Sequence, residues 1–269
     1  MSADALIEIF RLTKIFHPLQ LRLRSLRPLR RQSPVCALQE VTLTARRGEI
    51  LGLLGTNGAG KTTLLKILAT VVLPTAGRAL VGGQDVCRQA NRVRALIGLI
   101  AGEERSFYWR LTGRQNLEFF AAFQGLDARA AAVRIERLRD ELGLEALDRR
   151  FGPYSTGMKH RLAIARSLLH EPQLLLLDEP TRSLDPLAAA HLRRLIRDRL
   201  VVAQGRTAVL ATHNLQEAEE LCDRIAILHR GRLVGCGTME ELRRQSGDRA
   251  ATLADVFARL AGAPEPQPC

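Results

Sequence analysis

At 269 residues with 46% hydrophobic content, the chain is long enough to bury a sizeable core as one domain. Asp4 and Glu8 stand where a secretory signal needs a basic and then an apolar segment, and the longest apolar stretch, Leu64 to Leu73, contains Lys66 and is too short to span a bilayer, so a protein of the aqueous phase is expected. Five scattered cysteines without a CxxC pair argue against a disulfide framework or a zinc site, and a formal net charge of +12 points to an anionic partner, either nucleic acid or the inner face of a membrane.

An opening strand is expected over roughly Ile7 to Thr13, followed by Phe16. Between His17 and Pro34 come five arginines (Arg22, Arg24, Arg27, Arg30, Arg31) with leucines between them, three prolines and no acid. This reads as an insertion between two strands. Strand character resumes at Val41 to Thr44, and Ile50 to Leu54 is a short apolar run of the kind buried on both faces of a parallel sheet. A Gly-rich loop then opens a helix predicted over Lys61 to Val72, with Leu64, Leu65, Leu68, Val71 and Val72 on its apolar face, ended by Pro74 and Gly77.

Another strand is expected near Leu96 to Ile100. From Thr112 to Leu147 the pattern turns helical, with Thr112 and Gln115 spaced as a capping box. Strand and helix alternate again after Gly152-Pro153: a helix to about His170, a strand at Leu174 to Leu177, a helix from Pro186, a strand at Thr207 to Ala211. A hairpin follows over Arg224 to Gly235, turning at Arg230-Gly231. The whole predicts an α/β core with a mostly parallel sheet, a small antiparallel β part, and an inserted helical subdomain at about 104–153. A tail occupies about 245–269.

Gly55-Thr56-Asn57-Gly58-Ala59-Gly60-Lys61-Thr62-Thr63 contains a full GxxxxGKT motif between a strand and a helix. Such glycines let backbone amides curl around phosphates, and the helix dipole adds to the positive potential. Lys61 is placed to reach the outer phosphates and the Thr62 hydroxyl to take a Mg²⁺ position. The apolar strand at Leu174 delivers Asp178 and Glu179 at its carboxyl end, where ligands of open α/β sheets collect. Asp178 then suits the Mg²⁺ shell and Glu179 the attacking water.

On these residues the chain resembles the ABC ATPase family. Tyr154-Ser155-Thr156-Gly157-Met158 is similar to the family signature, Ser183-Leu184-Asp185 to its D-loop, and His213 stands after a strand where the family has its switch histidine. The resemblance implies a P-loop fold that binds ATP and Mg²⁺ and works as a dimer of two copies or of close relatives. ATP lies between one P-loop and the partner's signature, with Ser155, Gly157 and Asp185 near it, and Phe16 stacks on adenine. It also implies a Gln near Mg²⁺ at the entry to the helical insert. Here the segment is Ile97-Gly98-Leu99-Ile100-Ala101-Gly102-Glu103-Glu104, which aligns Glu103, or Gly102 one residue earlier, with that place. A carboxylate there accepts hydrogen bonds but donates none. Thr156 replaces a signature glycine.

Two further segments resemble the exporter branch that pairs with separate permease subunits. One is Thr252-Leu253-Ala254-Asp255-Val256-Phe257-Ala258-Arg259-Leu260. The other, Arg105-Ser106-Phe107-Tyr108-Trp109-Arg110-Leu111-Thr112, lies where family members receive the permease; an ordinary buried aromatic cluster is its other reading. The expectation is therefore a cytoplasmic ATPase subunit, peripheral on the inner face of the cell membrane, that drives export through a permease on another chain.

Two rival readings remain. The net charge suits a soluble ABC ATPase acting on nucleic acid or ribosomes. Against it, the stretch from Lys61 to Ser155 holds no sustained heptads and the chain carries one ATPase motif set, while only four lysines among forty cations point to compositional bias. Glu103 alone motivates a binding-only regulator, against the intact Lys61, Asp178, Glu179 and His213.

Overall fold

In the computed structural model, residues 4–17, 33–101 and 107–262 are described. Strands β3 (Ile50–Leu54), β6 (Ile97–Ala101), β7 (Leu174–Asp178), β8 (Thr207–Thr212) and β9 (Arg224–His229) run parallel in the order β9-β3-β8-β7-β6. An antiparallel edge strand, β10 (Arg232–Gly237), completes the predicted hairpin with β9. β7 explains the unbroken apolar runs. Leu174 and Leu176 pack with helix α1 (Lys61–Leu68), whereas Leu175 and Leu177 pack with α5 (Thr156–Leu168), so both faces of the sheet are covered.

A second, antiparallel sheet has the order β2-β1-β4-β5, from β1 (Ala5–Phe16), β2 (Val35–Arg46), β4 (Ala76–Val81) and β5 (Gln84–Asp85). β1 and β2 are much longer than the sequence predicts and stay paired up to Phe16 and Val35. The arginine-rich stretch lies between these ends, and its residues 18–32 are outside those described. α1 touches β7 and β8 of one sheet and β2 and β4 of the other, and its leucines share one buried cluster with Ile7, Ile9, Leu43 and Val81. α1 stops at Leu68, earlier than predicted. Thr70 takes φ 59°, and the amides of Val71 and Thr70 bond back to the carbonyls of Lys66 and Ile67. That double bond pattern is the left-handed stop of a Schellman motif, here without glycine. Val71 is consequently 65% exposed rather than on the apolar face. β4, β5 and α2 (Ala90–Leu96), left unassigned by the sequence, follow this stop.

Between β6 and β7 the chain forms α3 (Gly113–Phe123), α4 (Ala128–Leu142) and α5. The predicted capping box is present: Thr112 accepts from the Gln115 amide and the Gln115 side chain accepts from the Thr112 amide. Leu117, Ile135, Leu138 and Leu162 close this helical group. The neighbouring aromatics divide. Phe107 is buried against Phe120 and Phe151, with ring centroids 5.7 and 4.8 Å away, whereas Tyr108 and Trp109 are exposed. The buried reading thus holds for Phe107 alone.

After β7 comes α6 (Pro186–Arg194), which runs on through the π-helical Leu195–Val202. α7 (Leu215–Leu221), α8 (Met239–Gln245) and α9 (Leu253–Gly262) pack around β9 through Ala218, Leu242, Leu253 and Val256. α9 begins inside the predicted closing segment, Thr252 to Leu260, and runs two residues beyond it. α8 starts on a Thr238/Glu241 capping box that was readable in the sequence.

Among the described residues, an ion pair between buried Glu49 and partly buried Arg224 joins the two sheets. Glu49 accepts from the Arg46 amide at 2.7 Å and from Arg224 at 3.0 Å, and the same guanidinium nitrogen reaches the Thr44 carbonyl at 3.3 Å. Removing one member of such a pair leaves an uncompensated buried charge. Glu49→Ala is expected to cost about 3 kcal/mol in urea unfolding, and Glu49→Gln, which keeps an acceptor for the Arg46 amide, clearly less. Equal losses would show that the Arg46 hydrogen bond contributes nothing beyond the charge of Glu49.

Candidate functional site

β3 and β8 end side by side, with Leu54 opposite Thr212, while β8 and β7 align Ala211 with Asp178. The loops leaving these three ends therefore converge. After β3 the chain turns through Gly55 to Gly60 into α1. A Cβ at Gly55 would stand 2.4 Å from the Leu228 carbonyl oxygen, and at Gly60 (φ 105°) 2.5 Å from that of Ala37, so neither position admits a side chain. The loop lines a cleft of about 620 Å³ together with Val35, Cys36, Ala37, Asp178, Glu179 and Arg182.

Lys61 is buried there, its Nζ donating to the carbonyls of Gly55 at 2.7 Å and Thr56 at 3.1 Å. Burial pushes the ammonium pKa below its ordinary value, while the nearby carboxylates of Glu179 and Asp178 pull it up. The Thr62 hydroxyl donates to Asp178 Oδ1 at 3.1 Å. Asp178 is shifted upward, chiefly by desolvation and further by Glu179, against the Thr62 hydrogen bond and the charges of Lys61 and Lys66.

Glu179 follows at φ 50°, a left-handed conformation that costs a non-glycine residue about 1 kcal/mol. Its amide is bonded to the Ala211 carbonyl. The turn carries the carboxylate across the β8 end, where Oε1 lies 2.8 Å from His213 Nδ1 and Oε2 lies 3.5 Å from Arg182. The fold thus brings Gly55 to Thr63, Asp178, Glu179 and His213 close together. The sequence reading passed over Lys66 and Arg182. Both were visible as cations one turn beyond a named residue, Lys66 after Thr62 and Arg182 after Glu179.

Ser155, Gly157 and Asp185 are not among the residues that line this cleft. Ser155 caps α5, accepting from the Met158 amide at 3.3 Å, and a Cβ on Gly157 would meet open space. Asp185 caps α6 through the Ala188 amide at 2.8 Å. Phe16 stands at the rim, 42% exposed, opposite the cleft-lining Val35, with Lys14 Nζ 4.8 Å from its ring centroid. Glu103 and Gly102 lie outside the described residues.

Chemically, the cleft combines a ring of backbone amides at a helix start, two lysines and a pair of carboxylates. The amides and lysines fit a polyphosphate. Thr62 and Asp178 offer a divalent cation two hard oxygen ligands, and no group of three or more His, Cys, Asp or Glu able to hold a metal occurs among the described residues. Such a partial set suits Mg²⁺, which binds through one or two protein ligands while keeping waters and phosphate oxygens.

Comparison with known proteins gives a consistent result. Residues 38–182 match the ABC transporter family. The chain is 43% identical over 228 residues to the daunorubicin resistance ATP-binding protein DrrA3 of Streptomyces coeruleorubidus, covering 84% of this chain and 70% of that one. It is 36% identical over 224 residues to the ABC transporter ATP-binding protein NatA of Bacillus subtilis, covering 83% and 89%. A solved ATP-binding subunit of an ABC transporter superposes with a TM-score of 0.77 at 31% identity, covering 95% of this chain and 99% of that one.

The raised pKa of Asp178 has a stability consequence. A carboxyl that binds its proton more tightly folded than unfolded loses stability as pH rises through the unfolded value, 3.8, toward the folded one, and the cost persists above it. Asp178→Asn, still able to accept from Thr62, should raise the Tm of the nucleotide-free protein at pH 7.5. The gain should shrink as pH is lowered. A lower Tm at neutral pH would contradict the desolvation account.

Proposed function

This chain belongs to the ABC transporter family as one of its ATP-binding subunits, and from that premise we propose how its residues bind and hydrolyse ATP and what they drive. The observation that carries the reading is the convergence of Lys61, Thr62, Asp178, Glu179 and His213 on one cleft, with Thr62 bonded to Asp178 and Glu179 to His213. The amides of Gly55 to Thr63 and the Lys61 ammonium hold the phosphates. Thr62 and Asp178 hold Mg²⁺, which when bound neutralises charge developing on the phosphate oxygens. Glu179 orients the attacking water and takes its proton. His213 holds the Glu179 carboxylate through Nδ1 and leaves its other ring nitrogen for the terminal phosphate. Phe16 stacks on adenine, and Glu103, which the family resemblance aligns with the Gln near Mg²⁺, would accept hydrogen bonds there.

That Ser155 and Gly157 are not among the residues lining this cleft supports a second copy, or a close relative, as the source of the opposing face. Its α5 start, carrying no acid in the first turn, then meets the terminal phosphate with Asp185 nearby. In this reading the chain is one ATPase domain, with residues 104–153 as its helical subdomain.

ATP hydrolysis here drives transport rather than work on nucleic acid or ribosomes, a reading supported by the transporter relatives. Export is favoured by the drug-resistance relative. No helix among the described residues is long and apolar enough to cross a membrane, which fits a permease on another chain. Exposed Tyr108 and Trp109 suit contact with it, on the inner face of the cell membrane, while the cargo is chosen by the permease.

Two measurements test this. Glu179→Gln should bind ATP normally yet turn over about 10²–10⁴-fold more slowly, and should elute as a dimer with ATP on gel filtration; unchanged turnover would sink the base assignment. For the composite site, Lys61→Ala and Ser155→Arg should each be inactive as homodimers. Mixing them should restore activity, since one of the two sites in a mixed dimer then has both halves intact. Mixed dimers that form and stay inactive would count against assembly in trans.

A further inference from the structure

Glu217, in the first turn of α7, is 1% exposed, and with Glu49 it is one of two buried acids among the described residues. Its Oε1 accepts from the Thr181 hydroxyl at 2.7 Å. Thr181 lies two residues beyond Glu179, on the loop leaving β7, whereas α7 follows His213 on the loop leaving β8. The α7 side of this contact is itself tied down. The Glu217 amide donates to Asn214 Oδ1 at 3.3 Å, and the Asn214 amide donates to Thr212 Oγ1 at 3.0 Å. The two loops are therefore laced twice: Glu179 to His213 on the cleft side, and Thr181 to Glu217 on the buried side.

We propose that Glu217 is a positioning residue for ATP hydrolysis, holding the Glu179 loop through Thr181 at the distance from which Glu179 meets His213. The physical case starts from the conformation of Glu179. At φ 50° its backbone is strained, and Ser183, at φ 66°, is strained as well. A loop with two left-handed non-glycine residues relaxes unless its surroundings hold it. The Glu179 amide is pinned to Ala211, but beyond it the Thr181–Glu217 bond is the described side-chain tie between this loop and α7. A buried carboxylate accepting a hydroxyl makes a short, strong hydrogen bond, and displacement of either partner leaves a polar group unsatisfied. The cleft-side pair, by contrast, includes a half-exposed imidazole and is easily lost. The buried tie thus fixes the geometry on which the exposed one depends.

The inference rests on the reading of Glu179 as the base, so its test has an arm that needs no turnover. Thr181→Val and Glu217→Ala remove the bond. Thr181→Ser and Glu217→Gln keep it, since serine still donates and the glutamine carbonyl still accepts. In the nucleotide-free protein, nitrogen NMR of His213 should report loss of the Nδ1 hydrogen bond in the first two variants and its retention in the last two. Steady-state kinetics should show kcat lowered about 10- to 100-fold in the first two, with KM for ATP within about two-fold, as a shift near 1 Å in a reacting group produces. The double variant Thr181→Val/Glu217→Ala should be no slower than either single one.

A purely structural role predicts a different outcome: a lower Tm with the His213 signal and kcat unchanged, which would overturn the proposal. Glu217→Gln as slow as Glu217→Ala would also overturn it, because charge rather than the hydrogen bond would then matter. Should Glu217→Ala fail to fold, Thr181→Val against Thr181→Ser decides alone. Should Glu179→Gln retain full turnover, the assignment of the base falls, and the NMR arm still judges whether Glu217 sets the Glu179–His213 contact.

Discussion

Parallel pairing of β3, β8 and β7 ends three segments of the chain at one edge of the sheet, with Leu54, Thr212 and Asp178 within a residue of the same level. Backbone groups inside the sheet are satisfied by the ladder, so the first free amides and the first unpaired side chains appear together at that edge. This alignment is what turns separate motifs into one site. The Gly-rich loop follows β3, the two acids end β7, and His213 follows β8. A slip of one residue in β7 would turn Asp178 to the other face of the sheet and carry it away from Thr62.

The site also asks for things that the rest of the fold must support. Lys61 and Asp178 are taken out of water and both lose part of the preference for their charged forms. Glu179 and Ser183 occupy left-handed backbone. None of these choices favours stability, and the apolar strands beneath compensate, since Leu174 to Leu177 and Ala208 to Ala211 are almost wholly buried on both faces. Buried apolar area on this scale contributes about 25 cal/mol per Å². A rigid support of this kind lets an electrostatically unfavourable cluster persist ready for its ligand.

The helices add a different property. α5 and α6 each begin with a side-chain cap, Ser155 and Asp185. Neither helix start is among the residues that line the cleft. The exposed Tyr108 and Trp109 lie beside Phe107, which anchors them to the helical group through Phe120 and Phe151. Tyr108 packs edge-on against Phe119 and Arg110 lies over the Trp109 ring, so these exposed aromatics are held in place by their neighbours.

Some of this was legible in residues alone because the physics is local. GxxxxGKT encodes a turn and a helix start within nine residues; an apolar run ending in Asp-Glu encodes a buried strand and its exit; Thr112 and Gln115 encode a cap. The long pairing of β1 with β2 and β4 was not legible, because the partners lie far apart in sequence and β1 is only partly apolar along its outer half. Nor was the stop of α1 at Leu68, where Thr70 takes a conformation that its type rarely adopts. The sequence by itself determined the order and spacing of Gly55 to Thr63, Asp178 and Glu179, since a Gly-rich turn, a helix start and the exit of a buried strand are each encoded locally. The tertiary structure alone decided that Glu179 reaches His213, that Arg182 and Lys66 join the cleft, that Phe107 is buried while Trp109 is not, and that Glu217 ties two loops together. Each of these depends on distances between strands that only the packed sheets set.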